Sequence, residues 1–306
     1  MTMSTNYQFN SATERMQEIQ ARITRIQAQV SSGQRLTHAS DDADTAAAIL
    51  RVESAIARQD HYAQTIATVQ DRLKAEETAL RGTSDLIARL KELSLQAATA
   101  TASQEDRANI ATVMESVGRE LLALSSTKDA DGHYLFSGTR GATSPWGSDP
   151  EAPASYGGDT TSVSVRVSDQ TIASANRTGV DAFEGIVRSG PRVTERVGFF
   201  RVVQDLVTSV RRTDMQGMTR GIAEIDMLGA GIGRALSRNG SDQSDLTAQL
   251  ARIDEIRLRL KTTLSGIRDT DYAEAISQLQ KESLGLQAAQ STFAKTAELS
   301  LFNYIK

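Results

Sequence analysis

The chain has no cysteine, which excludes disulfides, thiolate zinc sites and a cysteine nucleophile together. Its 4 prolines, Pro145, Pro150, Pro153 and Pro191, share one window, so both flanks are free of the residue that most strongly breaks helices. Aromatic residues make up only 5%, against abundant Ala, Ser, Thr, Gln, Leu and Ile. That composition suits long helices packed through small and aliphatic side chains, not an aromatic-rich enzyme pocket. No segment approaches the ~20 apolar residues of a membrane span, and the opening MTMSTNYQFNSATERM lacks the apolar run of a secretory signal peptide. No block of like charge stands out among 34 basic and 38 acidic residues, so nothing recommends nucleic acid or an acidic membrane as a partner. The expectation is a soluble protein, cytoplasmic or exported without a cleaved signal, with two or three domains in its 306 residues.

Catalytic signatures are missing too. His38, His61 and His133 stand apart, and there is no HExxH, GxSxG or GK[ST]. Gly229, Gly231 and Gly233 approach a dinucleotide fingerprint, but the third glycine is misplaced and no strand precedes it. Asp129, Asp131 and Gly132 resemble the start of a calcium loop that no acidic residue closes, so a turn is expected. No catalytic residue, cofactor or metal ligand is assigned.

What is present is periodicity. Tyr272, Ile276, Leu279, Ser283, Leu286, Gln290, Phe293 and Ala297 recur at spacings of four and three, the seam of a helix that packs lengthwise on another. At the opposite end Ala12, Met16, Ile19, Ile23, Ile26 and Val30 follow the same rhythm. Neither stripe can bury itself, so the two ends are expected to pair. Between them, Gly33 is placed to end the first helix in a left-handed conformation, with Ser40, Asp41 and Asp42 as caps for the next. A second helix is read from Ile49 to Ala97, softened at Gly82 to Asp85, and a third from Ser103 to Leu124, followed by a turn over 129–132. HYLFSG from His133 reads as strand-like, and Val163, Val165 and Val167 alternate with polar residues as in a half-buried strand. Helices return over 197–212 and 215–236, the second weakened by glycines. Asn239-Gly240 reads as a turn before another helix from Leu246.

The fold class is therefore mainly α: a long helical-bundle rod with paired terminal coiled-coil helices and a small β-rich insertion. The expected division is 1–41 with 271–306 as the terminal domain, 42–139 with 191–270 as the rod, and 140–190 as the β-rich domain.

VSSGQRLTHASDDADTA, from Val30 to Ala46, resembles the amino-terminal signature of bacterial flagellins, and LSGIRDTDYAEA, from Leu264 to Ala275, resembles their carboxy-terminal signature. Asp44 and Thr45 depart from the Ala-Gly that flagellins tend to carry. Within that superfamily, DGHYLFSGTRGATSPW and the terminal SLFNYIK look like the hook-associated proteins that join hook to filament, type 3; the alternative is filament flagellin itself. The resemblance implies a structural assembly protein and not an enzyme, exported unfolded through the flagellar type III apparatus. Its implied partners are copies of itself in a ring or tube, hook-associated protein 1 on the hook side, flagellin on the filament side and an export chaperone. The residues assigned to the assembly interface are Met16, Ile19, Ile23, Ile26, Val30, Ile276, Leu279, Leu286, Phe293, Leu301 and Phe302. Those assigned to the signature turn and caps are Gly33, Arg35, Ser40, Asp41, Asp42, Ile267, Asp269 and Asp271.

Overall fold

The structure is a computed structural model and describes residues 2–147, 155–189 and 194–304. In chain order the described elements are α1 (Thr2–Ser32), α2 (Ala43–Ala98), α3 (Gln104–Ser125), β1 (Ser164–Arg166), β2 (Ile172–Ser174), α4 (Gly179–Ala182), β3 (Ile186–Ser189), β4 (Thr194–Val197), α5 (Phe199–Arg211), α6 (Met215–Arg268) and α7 (Tyr272–Tyr304). The fold is mainly helical, with two antiparallel two-stranded sheets, β1–β2 and β3–β4. The chain divides into two compact units, residues 60–254 and the two ends, 1–59 with 255–306.

The unit 60–254 carries the hydrophobic core. On α5, Phe199, Val202, Val203, Leu206, Val207 and Val210 recur at helical spacing and are all buried. They join Leu80, Leu90, Met114, Leu121, Met218 and Ile225 in one continuous cluster. Most of the scarce aromatic side chains are concentrated here, with Phe183 edge-on to Phe136 at 5.1 Å and to Phe199 at 5.4 Å, and Trp146 against Phe200 at 4.8 Å. The third helix begins as its sequence indicates: Ser103 and Asp106 form a reciprocal capping box. A smaller cluster packs Val167 with Tyr62, Ile66, Val69, Leu246 and Ile253, so the alternation of Val163, Val165 and Val167 ends in one fully buried residue.

Three expectations are corrected. The second helix is not softened at Gly82 to Asp85 but runs unbroken to Ala98, because Gly82 is a point of close approach: a Cβ there would lie 3.0 Å from Leu124 Cδ1. The glycines and Asn239-Gly240 do not interrupt α6. Gly221 lies against Leu206, while Asn239 is a buried anchor whose Nδ2 donates to the Leu73 carbonyl at 3.1 Å and to Glu76 at 3.4 Å. HYLFSG forms no strand. Tyr134 and Ser137 make only isolated bridges, to Lys128 and Thr178, and the segment turns so that Leu135 and Phe136 enter the core. Arg72 holds that turn, donating to the carbonyls of Tyr134 and Leu135 and pairing with Asp129 at 2.7 Å.

Glu76, fully buried on α2, accepts from the Arg177 backbone N–H at 3.3 Å, and Arg72 and Arg177 each bring Nε to 3.9 Å. Desolvation outweighs both arginines and pushes its carboxyl up to about 7.

Candidate assembly interface

The terminal helices pair antiparallel. On α1 the inward line is Ala12, Met16, Ile19, Ile23, Ile26 and Val30, the heptad line read from the sequence, extended by Phe9, which was not read from it; Ile23 and Ile26 are its buried members. On α7 the line runs through Ala275, Leu279, Ser283, Leu286, Ala289 and Phe293. Ile276 lies off it and is 45% exposed. The side chains of Ala297, Leu301 and Phe302 lie outside the described residues. Phe9 meets Phe293 edge-on at 5.2 Å, and Arg22 grips Glu282 with two hydrogen bonds of 3.1 and 3.2 Å. Near the Phe9 end a groove of about 390 Å³ stays open between the helices, lined by Met16, Ala289, Thr292 and Phe293 among others.

At the other end of the pair the two signature loops clasp each other. Gly33 ends α1 at φ +70°, where its N–H donates to the Gln29 carbonyl at 2.9 Å. A Cβ on it would lie 2.8 Å from the Tyr272 hydroxyl. Gln34 bridges Asp269, the Arg35 N–H donates to the Arg268 carbonyl at 2.7 Å, and the Thr270 N–H donates to the Gly33 carbonyl at 2.9 Å. The Arg35 guanidinium adds two bonds to the Ile267 carbonyl, at 3.2 and 3.1 Å, in the last turn of α6 where a cation complements the helix dipole.

The caps divide their work. Asp42 starts α2, accepting from the Thr45 N–H at 3.0 Å and from its hydroxyl; these bonds hold its carboxyl below the usual carboxylate range. Asp41 turns back to accept from the Thr37 hydroxyl and the His38 N–H, and Ser40 is exposed in the turn. Asp271 caps α7, accepting from the Ala273 and Glu274 N–H groups. Asp269 accepts from Ser265 and Arg268, and its carboxyl is lowered first by the Ser265 bond. Sequence reasoning missed Gln29, whose Nε2 donates to the Arg35 carbonyl at 2.6 Å, Tyr272 over Gly33, and the Arg22–Glu282 pair.

Among the described residues, Asp129, Asp131 and His133 are the group close enough to share a cation. Asp131 and His133 are exposed, and the Asp129 carboxylate is taken up by Arg72 and the turn's own N–H groups. The segment is the turn read from the sequence.

Paired terminal helices closed by a backbone clasp define a mainly helical protein whose two chain ends fold together. The family model described as the bacterial flagellin N-terminal helical region matches residues 3–140, and that of the bacterial flagellin C-terminal helical region matches residues 217–305. The chain belongs to the bacterial flagellin family. It is 24% identical to flagellar hook-associated protein 3 of Salmonella typhimurium, with 99% of each chain covered. It is 23% identical to a flagellin of Listeria monocytogenes, over 96% of this chain and 95% of that one. Its fold is similar to the crystal structure of FlgL from Xanthomonas campestris, at a TM-score of 0.61 and 18% identity, covering 71% of this chain and 99% of that one. These relatives are structural flagellar proteins, not enzymes.

Proposed function

We propose that the chain is the adaptor at the hook–filament junction of a bacterial flagellum, assembled through its terminal helices. The observation that carries the assembly role is incomplete burial. Among the described residues of 1–59 and 255–306, only Ile23, Ile26, Gln59, Leu264 and Ala275 are buried, while Leu50, Leu258, Ile276 and Leu284 remain open to solvent. Large apolar side chains left exposed on helices that bury so little are surface for a partner to cover. Copies of this chain in a ring or tube supply the lateral cover. Hook-associated protein 1 and flagellin supply it on the hook and filament sides, and an export chaperone covers it before assembly. The junction reading over filament flagellin is supported by the match to hook-associated protein 3 over 99% of both chains, flagellin being the more distant match. It carries with it export through the flagellar type III apparatus without a cleaved signal, and an outward position for 140–190.

The test is a deletion strain. Hooks present with filament subunits shed into the medium supports the junction role, and one immunolabelled band at the filament base supports it further. Label along the whole filament makes the chain a filament subunit instead.

A further inference from the structure

The seam joining α1 and α7 is poor in information about register. Ala12 on one side and Ala275, Ser283 and Ala289 on the other are small side chains that would tolerate displacement by one heptad, which leaves both inward lines facing each other. The pair nevertheless satisfies three separated contacts at once: Gln34 with Asp269, Arg22 with Glu282, and Phe9 with Phe293. Going out from the clasp, the steps are 12 and then 13 residues along α1, against 13 and then 11 along α7. A single antiparallel alignment fits all three.

The three are unequal. Arg22 is about half exposed, and the Phe9–Phe293 contact borders an open groove. The clasp alone is built from backbone hydrogen bonds, closed by the Arg35 fork on Ile267, and it turns on Gly33 at φ +70°, a conformation that side-chain-bearing residues rarely adopt. It also touches both helices at their covalent ends, since Gly33 follows the last residue of α1 and Thr270 lies two residues before the first residue of α7. With those ends fixed, each helical residue advances by a set rise, and a slip of one heptad would require the clasp to open.

We infer that the Gly33–Arg35 clasp on Ile267–Tyr272 is a register lock: it sets the alignment of the terminal pair from its inner end, with Gly33, Arg35 and Tyr272 as positioning residues. This goes beyond the junction role and is tested on the purified monomer, so it stands or falls independently of where the protein sits in a flagellum.

The absence of cysteine makes the test direct. Phe9→Cys with Phe293→Cys reports the observed register by disulfide trapping, and Phe9→Cys with Leu286→Cys reports a slip of one heptad. With the clasp intact, the in-register disulfide dominates. In Gly33→Val or Arg35→Ala backgrounds the preference falls by about tenfold, the change expected from losing one or two hydrogen bonds of ordinary net strength. Arg35→Lys, which keeps the charge and loses the fork, falls between. Thermal melting of the 60–254 unit, unchanged in every variant, shows that the chain still folds. An unaltered disulfide preference in the clasp variants overturns the proposal, as does a slipped disulfide that forms as readily as the in-register one with the clasp intact.

Discussion

The unit 60–254 and the paired ends are both helical, but they hold their helices in different ways. In 60–254, α3 and α5 pack into one continuous apolar cluster with fully buried Phe136, Phe183 and Phe199, and even its charges are internal, as with Glu76 among Arg72, Arg177 and Asn239. At the ends, order comes from discrete ties: a backbone clasp, one exposed ion pair and one aromatic contact along a seam of which most side chains are only partly covered. Burial of a large apolar side chain contributes about 1.5–3 kcal/mol, and ordering each residue costs about 1–2 kcal/mol of backbone entropy. A region with few buried side chains therefore sits near balance, while the one with a continuous core does not. The unit 60–254 is therefore expected to fold by itself, and folding of the ends is expected to be completed by assembly.

The comparison is broken most severely by charges and cavities. Ile23→Asp places a carboxylate in the buried part of the seam. It is expected to abolish incorporation into the flagellum while leaving the melting of 60–254 unchanged, and motility together with calorimetry checks both halves. Phe183→Ala is the converse, expected to cost about 3–5 kcal/mol of core stability, read as a lower urea midpoint for 60–254.

Next in size is the buried carboxylate. Glu76 has its pKa raised from 4.5 to about 7. Between these values the folded chain holds a proton that the unfolded chain has released. The stabilisation from this group is therefore complete below pH 4.5 and is lost as pH rises through 7, a span worth about 3 kcal/mol. Glu76→Gln should remove that slope, visible as similar urea midpoints at pH 5 and pH 8. Ser103→Ala removes the donor and acceptor of the α3 capping box and should cost about 1 kcal/mol, measured by the same denaturation. Smallest is Arg22→Ala, since its side chain is 48% exposed. Under about 1 kcal/mol is expected, with loss of the salt dependence of α1 protection as the readout.

Local chemistry was legible where it acts through neighbours in sequence. The α1 seam, the Gly33 terminus, the Ser103 box and the Asp129–Gly132 turn each depend on spacing or on one residue's backbone freedom. What escaped depends on distant partners. Gly82 and Gly221 are helical because Leu124 and Leu206 press on them, and Asn239 stays in α6 because Leu73 and Glu76 bind its amide. On α7 the line read from the sequence holds at Leu279, Ser283, Leu286 and Phe293, but Ala275 and Ala289 face inward where Ile276 and Gln290 were expected, because a heptad reading does not fix the step between turns. The helix is set instead by the Asp271 cap and by Tyr272 packing over Gly33. In the candidate site, the resemblance marked both signature loops, but only the folded chain brings Arg35 onto Ile267.

Amide hydrogen exchange, followed by mass spectrometry on the purified monomer and on the assembled protein, tests the central claim most directly. In a verified monomer, residues 9–30 and 275–293 should exchange much faster than 66–97 and 199–235, because the pair forms in register but opens readily, and the terminal segments should gain further protection on assembly. Strong protection of both ends in the monomer would contradict the account.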